Sequence, residues 1–106
     1  MPGYMIFEIE ITDQTAWEEY RAVAAPLMAD AGGRFLVNSA NAEPLEGNWI
    51  PPMISVVEFP SIEAAREFYD SPAYQATLAL RGRASRGRGI LVGGLTPSVV
   101  AKETTT

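Results

Sequence analysis

The chain contains neither cysteine nor histidine. Without cysteine there are no disulfides, no thiolate nucleophiles and no cysteine-held metals. Without histidine there is no imidazole base, no usual haem ligand, and no side chain of the kind most zinc sites require. Proton transfer must fall to carboxylates, tyrosines, arginines or the amino terminus. No segment approaches the roughly 20 apolar residues of a membrane span, and the first residues enter a strand pattern directly, without a signal-peptide pattern. The expected address is the cytoplasm, with no membrane partner. Positive charge is also scarce. A net charge of −5 argues against nucleic acid as a partner, because affinity for phosphate backbones rests on a positive surface. Four of the eight basic residues, Arg81, Arg83, Arg86 and Arg88, fall within eight positions, leaving four against thirteen acids elsewhere. A solvated turn is the expected reading of that stretch, and an anion-holding segment is the alternative.

At 106 residues the chain fits one domain, and a domain of this size buries about two thirds of the surface of its unfolded chain. Its 47% apolar and 20% charged residues are those of an ordinary globular protein. No internal repeat or low-complexity segment interrupts it.

"YMIFEIEI" alternates, with Met5, Phe7, Ile9 and Ile11 on one side and Tyr4, Ile6, Glu8 and Glu10 on the other, as in a strand over residues 4–11. Asp13 is placed to cap a helix whose Trp17, Tyr20, Ala24, Leu27, Met28 and Ala31 recur at helical spacing. Pro26 is expected to kink or restart that helix, and Gly32-Gly33 to stop it. "RFLVN" reads as a second strand and "MISVVEF" as a central third one. The stretch between them, with its prolines, reads as a long loop.

Pro60-Ser61 ends the third strand and caps a helix over 62–70. Ser71-Pro72 then caps another, expected over about 72–84, because serine at the N-cap and proline at the first helical position are both favourable. Tyr74, Leu78 and Arg81 share a face of that helix. Gly87 and Gly89 loosen the approach to a last strand over 89–94. Residues 1–96 are thus expected to form the domain and 97–106 a mobile tail, with Val99 and Val100 able to dock on a neighbour.

The order predicts an α+β, ferredoxin-like βαββαβ fold, with a four-stranded antiparallel sheet carrying its helices on one face. The other face holds Ile6 and alternate residues of the third strand, too apolar to leave in water. A symmetric homodimer is the expected solution.

The segments "GY", "WEEY", "AGGRFLV", "LEGNWIP" and "VVEFPSIEAAREFYDSPAYQ", with the following arginine, resemble the DUF1330 family of the dimeric α/β-barrel superfamily over residues 3–94. The resemblance implies two sheets facing each other as a barrel. It departs at Met53, where the pattern has an arginine opening the third strand. Wider relatives include cofactor-free quinone-forming monooxygenases, muconolactone isomerases, polyketide cyclases and haem-dependent chlorite-degrading enzymes, and fold analogy does not choose among them. The lack of histidine disfavours the haem branch.

Several side chains are candidates for chemistry. If Glu58 faces the helices, burial would raise its pKa toward a useful base; otherwise it is an ion-pair partner, for instance of Arg81. Tyr20 and Tyr74 on inward helix faces, and Arg81 one stretch later, are candidates to stabilise an enolate. Each has an ordinary packing role as the alternative. Asn38, Trp49 and Tyr69 are candidate substrate contacts, Trp49 as a lid or a dimer contact; a turn is the favoured reading for Asn38 and a core position the ordinary one for Tyr69. Pro2 would become a secondary amine if Met1 were removed, a tautomerase-like possibility.

The leading expectation is a small-molecule enzyme without bound cofactor or metal. It would be an acid/base isomerase, cyclase or lyase acting on a small, apolar, oxygenated metabolite, polyketide- or lactone-like. The alternatives are a cofactor-free monooxygenase of an electron-rich phenol, and a non-catalytic homodimer that binds a metabolite or a partner protein.

Overall fold

The first strand, β1 (Gly3–Ile11), shows the alternation of its sequence directly. Met5, Phe7 and Ile9 are buried, while Tyr4, Ile6 and Glu8 between them are half-buried on the opposite face. The computed structural model describes residues 1–95. After β1 come α1 (Gln14–Asp30), β2 (Arg34–Ser39), β3 (Ile54–Phe59), α2 (Ile62–Asp70), α3 (Pro72–Gln75), α4 (Leu78–Ala84) and β4 (Ser85–Gly93). The strands form one antiparallel sheet in the order β2-β3-β1-β4, the ferredoxin-like arrangement. The tail, with Val99 and Val100, lies outside the described residues.

Local chemistry sets the helix boundaries. The Asp13 carboxylate accepts from the Ala16 N–H at 3.1 Å, and Ser61 Oγ from Ala64 N–H at 3.0 Å, so orphan amides at both helix starts find partners. Pro26 lies inside α1 without ending or restarting it. The buried residues of α1, Trp17, Tyr20, Ala24 and Met28, hold it to the sheet on both sides of the proline. Gly32 takes a φ of 88°, and the Gly33 N–H closes the helix end on the Met28 carbonyl at 2.8 Å.

Ser71 works in both directions. Its hydroxyl oxygen accepts from the Tyr74 N–H, while the same hydroxyl donates to the Phe68 carbonyl at 2.7 Å. One residue thereby ends α2 and starts α3.

Two expectations change here. The helix expected over 72–84 breaks at Ala76-Thr77. Both the Thr77 N–H and its hydroxyl bond the Tyr74 carbonyl, at 2.8 and 2.6 Å, drawing the turn tight before α4 begins. The arginine-rich stretch is not a solvated turn, because β4 starts at Ser85. Arg86 and Arg88 stand directly across from Glu10 and Glu8 of β1, with N···O distances of 2.9 and 2.8 Å. Opposite charges facing each other across strands supply the pairing that arginine and glycine lack by propensity.

The core lies between the sheet and the helices. It joins Met5, Phe7, Ile9, Val57 and Phe59 to Trp17, Tyr20, Ala24, Met28, Ala65, Phe68 and Tyr74. The other face of the sheet carries no helix. It exposes Ile90 and Val92 beside the half-buried Ile6, Ile54 and Val56.

Candidate functional site

Three expected residues meet between sheet and helices. α1 presents Tyr20 and α3 presents Tyr74, and their hydroxyls lie 2.8 Å apart. Arg81, one turn into α4, donates from Nη1 to the Tyr74 hydroxyl at 3.3 Å. Its guanidinium carbon sits 4.7 Å from the centre of the Phe7 ring, a cation–π placement. Among the described residues no carboxylate pairs with Arg81. Burial, with the neighbouring Tyr74 adding to it, pushes the Tyr20 phenol far above its ordinary value. At neutral pH Tyr20 is therefore a proton holder and hydrogen-bond donor, not a base.

Tyr20 and Arg81 border a small pit of about 40 Å³, walled by Phe7, Ile9, Trp17, Met28, Phe35 and Val57. Its polar lining is Tyr20, Asn38, Ser55 and Arg81. Asn38 and Ser55 face each other across β2 and β3, so the register brings an amide and a hydroxyl to one spot. The pit is large enough for a water molecule or the oxygen-bearing end of a ligand, and too small for a whole metabolite.

A second, larger cleft of about 390 Å³ lies behind the Phe7–Arg81 pair, against the free edge of β4. Its floor is Met5, Phe7 and Leu91, and α2 contributes Ala65, Arg66 and Tyr69. Gly87 and Gly89 border it at close-packed positions: a methyl at Gly89 would overlap the Phe7 ring, and one at Gly87 the Glu8 carbonyl. Tyr69 thus lines the outer cleft, with its ring centre 5.6 Å from that of Tyr74.

Glu58 is elsewhere, and the expectation that it faces the helices is corrected. In β3 the buried residues are Ser55, Val57 and Phe59, and strand alternation turns Glu58 to the helix-free face. There it accepts from Arg34 Nε at 2.8 Å and from the Tyr4 hydroxyl at 3.0 Å, so its ion-pair partner is Arg34 and not Arg81. These two donors hold its carboxyl below the usual range, the Arg34 bond first, opposite to the direction expected of a buried base.

Trp49 also lies on that face. Its Nε1–H donates to Glu8 at 2.6 Å, so it covers neither the pit nor the outer cleft. It stands 57% exposed beside Ile6 and Ile90. Pro2 lines neither space; its carbonyl accepts from the Gly94 N–H at 2.7 Å. At the place of the expected arginine, the Met53 side chain is partly buried against the core.

Ser55, Phe7 and Arg66 complete the two spaces and were not singled out from sequence. Ser55 carried a readable signal, a polar residue at an inward position of an otherwise apolar strand. Among the described residues no group of Asp and Glu side chains is clustered to hold a metal ion.

Solved structures share this architecture. A protein of unknown function from Rhodopseudomonas palustris is 20% identical, with 91% of this chain and 84% of that one covered and a TM-score of 0.71. SnoaB from Streptomyces nogalater, a cofactor-independent oxygenase, is 12% identical, covering 90% and 94%, with a TM-score of 0.64. A dimeric ferredoxin-like protein of unknown function from Jannaschia is 14% identical, covering 89% and 100%, also at 0.64. Among curated proteins no sequence matches. A sequence model described as "Domain of unknown function (DUF1330)" matches residues 2–95, and the chain belongs to that family.

Proposed function

We propose that the protein is a homodimeric small-molecule enzyme that stabilises an enolate or phenolate oxygen at the pit formed by Tyr20, Asn38, Ser55 and Arg81. The observation that carries this reading is Arg81 itself, a partly buried cation with no carboxylate partner among the described residues, whose remaining N–H groups are available at the wall of a cleft. Preorganised donors of this kind act on charge as it develops.

Glu58 supplies no base to this site, since it lies on the opposite face of the sheet. Among the described residues no carboxylate lines either space. The reading is therefore strongest for a substrate acidic enough to ionise without one. An electron-rich phenol of the cofactor-free monooxygenase type fits this demand better than a lactone that needs its proton removed. The ionised ring would give an electron pair to dioxygen, forming a carbon–oxygen bond. Loss of the ring C–H proton and cleavage of the O–O bond then leave a quinone carbonyl and one water. The fold shared with a cofactor-independent oxygenase supports this branch.

The lack of any carboxylate lining the two spaces also favours a second reading, a homodimer that binds such an anion without turnover. One panel separates the readings. Naphthols and 1,3-diketones are incubated with the protein in D2O, with carbon-bound deuterium followed by NMR and dioxygen uptake by electrode. Catalysed exchange or uptake is expected, lowered about 100-fold or more in Arg81→Gln, the scale for one lost donor to a developing oxyanion. Binding with neither signal from any compound would leave the non-catalytic reading in its place.

A further inference from the structure

The outer cleft has its own chemistry. Tyr69 and Arg66 lie three residues apart on α2, which sets them side by side on one flank of the helix. Neither Arg66 nor the Tyr69 hydroxyl has a side-chain partner among the described residues, and no acidic side chain lines the cleft. Arg81 closes the inner end. Arg88 also borders the cleft along the β4 edge, but its guanidinium is held by Glu8 on the open face. Two guanidinium groups without a carboxylate partner among the described residues, and a phenol, thus surround an apolar floor of Met5, Phe7 and Leu91, in a space of about 390 Å³. That volume sits in the ordinary range for a small-ligand site. At Gly89 the Phe7 ring itself covers the strand, so the aromatic surface offered to a ligand is that ring together with Met5 and Leu91.

We infer that this cleft is a subsite for an aromatic carboxylate, with the ring against Met5, Phe7 and Leu91 and the carboxylate taken by Arg66 and Arg81. A planar guanidinium matches a carboxylate with two parallel N–H bonds, so the arginines select charge and geometry together. The inference deepens the proposed function and rests on it in one respect, that Arg81, which borders both pit and cleft, meets the carboxylate and the reacting oxygen of one molecule. The substrate class is then an aromatic acid bearing an ionisable hydroxyl or enol.

The probes are 2-naphthoate and its neutral isostere 2-naphthamide, titrated by calorimetry and by amide chemical shifts on the full chain. Naphthoate is expected to bind at least ten-fold tighter than the amide and to move the Gly87, Gly89 and Leu91 signals. Arg66→Gln, at an exposed position that leaves the core untouched, is expected to remove most of that ratio, and Arg66→Lys to restore part of it. Equal affinity for the two probes, a preference that survives Arg66→Gln, or shifts confined to the open sheet face would overturn the inference. A naphthoate preference without exchange or oxygen uptake would uphold the subsite while refuting the enzyme reading. Turnover of neutral phenols without a naphthoate preference would do the reverse.

Discussion

The hydroxyls of Tyr20 and Tyr74 meet at 2.8 Å, and the two residues come from helices 54 positions apart in the chain. Tyr74 is fully buried and has a second partner in Arg81, whereas Tyr20 has only Tyr74 among the described residues. The two phenols are therefore not equivalent. Tyr74→Phe strands both the Tyr20 hydroxyl and an Arg81 donor, while Tyr20→Phe leaves Tyr74 still bonded to Arg81. Denaturant unfolding is expected to show a cost of about 1–3 kcal/mol for Tyr74→Phe and roughly half of that for Tyr20→Phe. The double variant should cost less than the sum of the single ones. Equal and additive costs would show that the hydroxyl pair is not coupled.

The open face makes a pH-dependent prediction. Glu58 is held below its ordinary value by Arg34 first and Tyr4 second, and Glu8 by Trp49 first and then Arg88. A carboxylate depressed in the folded state contributes stability that is fully present above its unfolded value and lost as pH falls through the folded one. Stability should therefore decline as pH drops below about 4.5, the ordinary glutamate value. Glu58→Gln should be modestly less stable at pH 7, since exposed pairs contribute little, and should converge with the wild type in acid, which flattens the decline. Urea midpoints from pH 6 to pH 2.5 measure it, and identical slopes for the two proteins would refute it.

The contrast between Tyr74 and Glu58 shows what the sequence carries. Ser71-Pro72 announces a helix start by short-range chemistry alone, so the position of Tyr74 is legible from four residues. The ferredoxin-like order is legible for the same reason, as the period changes from strand to helix at each boundary. The face of Glu58 depends on which parity of β3 meets β1, and the pairing of Val57 with Met5 decides it. Both parities of "MISVVEF" are largely apolar, so the pattern alone leaves the choice open. The strand at Arg86 and Arg88 is set by acids some 76 to 80 positions earlier, beyond any local signal. The outer cleft is harder still to read, being lined by residues of β1, α2, α4 and β4 that only the tertiary fold brings together.

Burial of the helix-free face is expected to hold two copies together. Ile90 is 60% exposed and lies across from Ile6 at the centre of that face, with Trp49 57% exposed nearby. Such a patch is more apolar than a lone domain ordinarily leaves in water. Light scattering after gel filtration should give twice the 11.5 kDa chain mass. Ile90→Glu should weaken association by about 30-fold or more, as expected for a charge placed at an interface centre. Because Trp17 is buried within the chain, a concentration-dependent shift in tryptophan emission would report on Trp49. A monomeric wild type at micromolar concentration would contradict this assembly.

Two glycines separate open backbone from occupied space. Gly82, in α4, has nothing within 4 Å of where a methyl would stand, and its backbone is helical. Gly82→Ala should therefore stabilise the protein by about 0.5–1 kcal/mol, chiefly by restricting the unfolded chain. At Gly89 the same substitution drives a methyl into the Phe7 ring, which also carries Arg81 on its face. Relief requires Phe7 to move, and with it the wall between pit and cleft, at an expected cost of about 1–3 kcal/mol. Thermal melts of the two variants should shift in opposite directions. If Gly89→Ala melted with the wild type, the Phe7 ring would be free to yield, and the partition it forms with Arg81 would not be a fixed feature of the site.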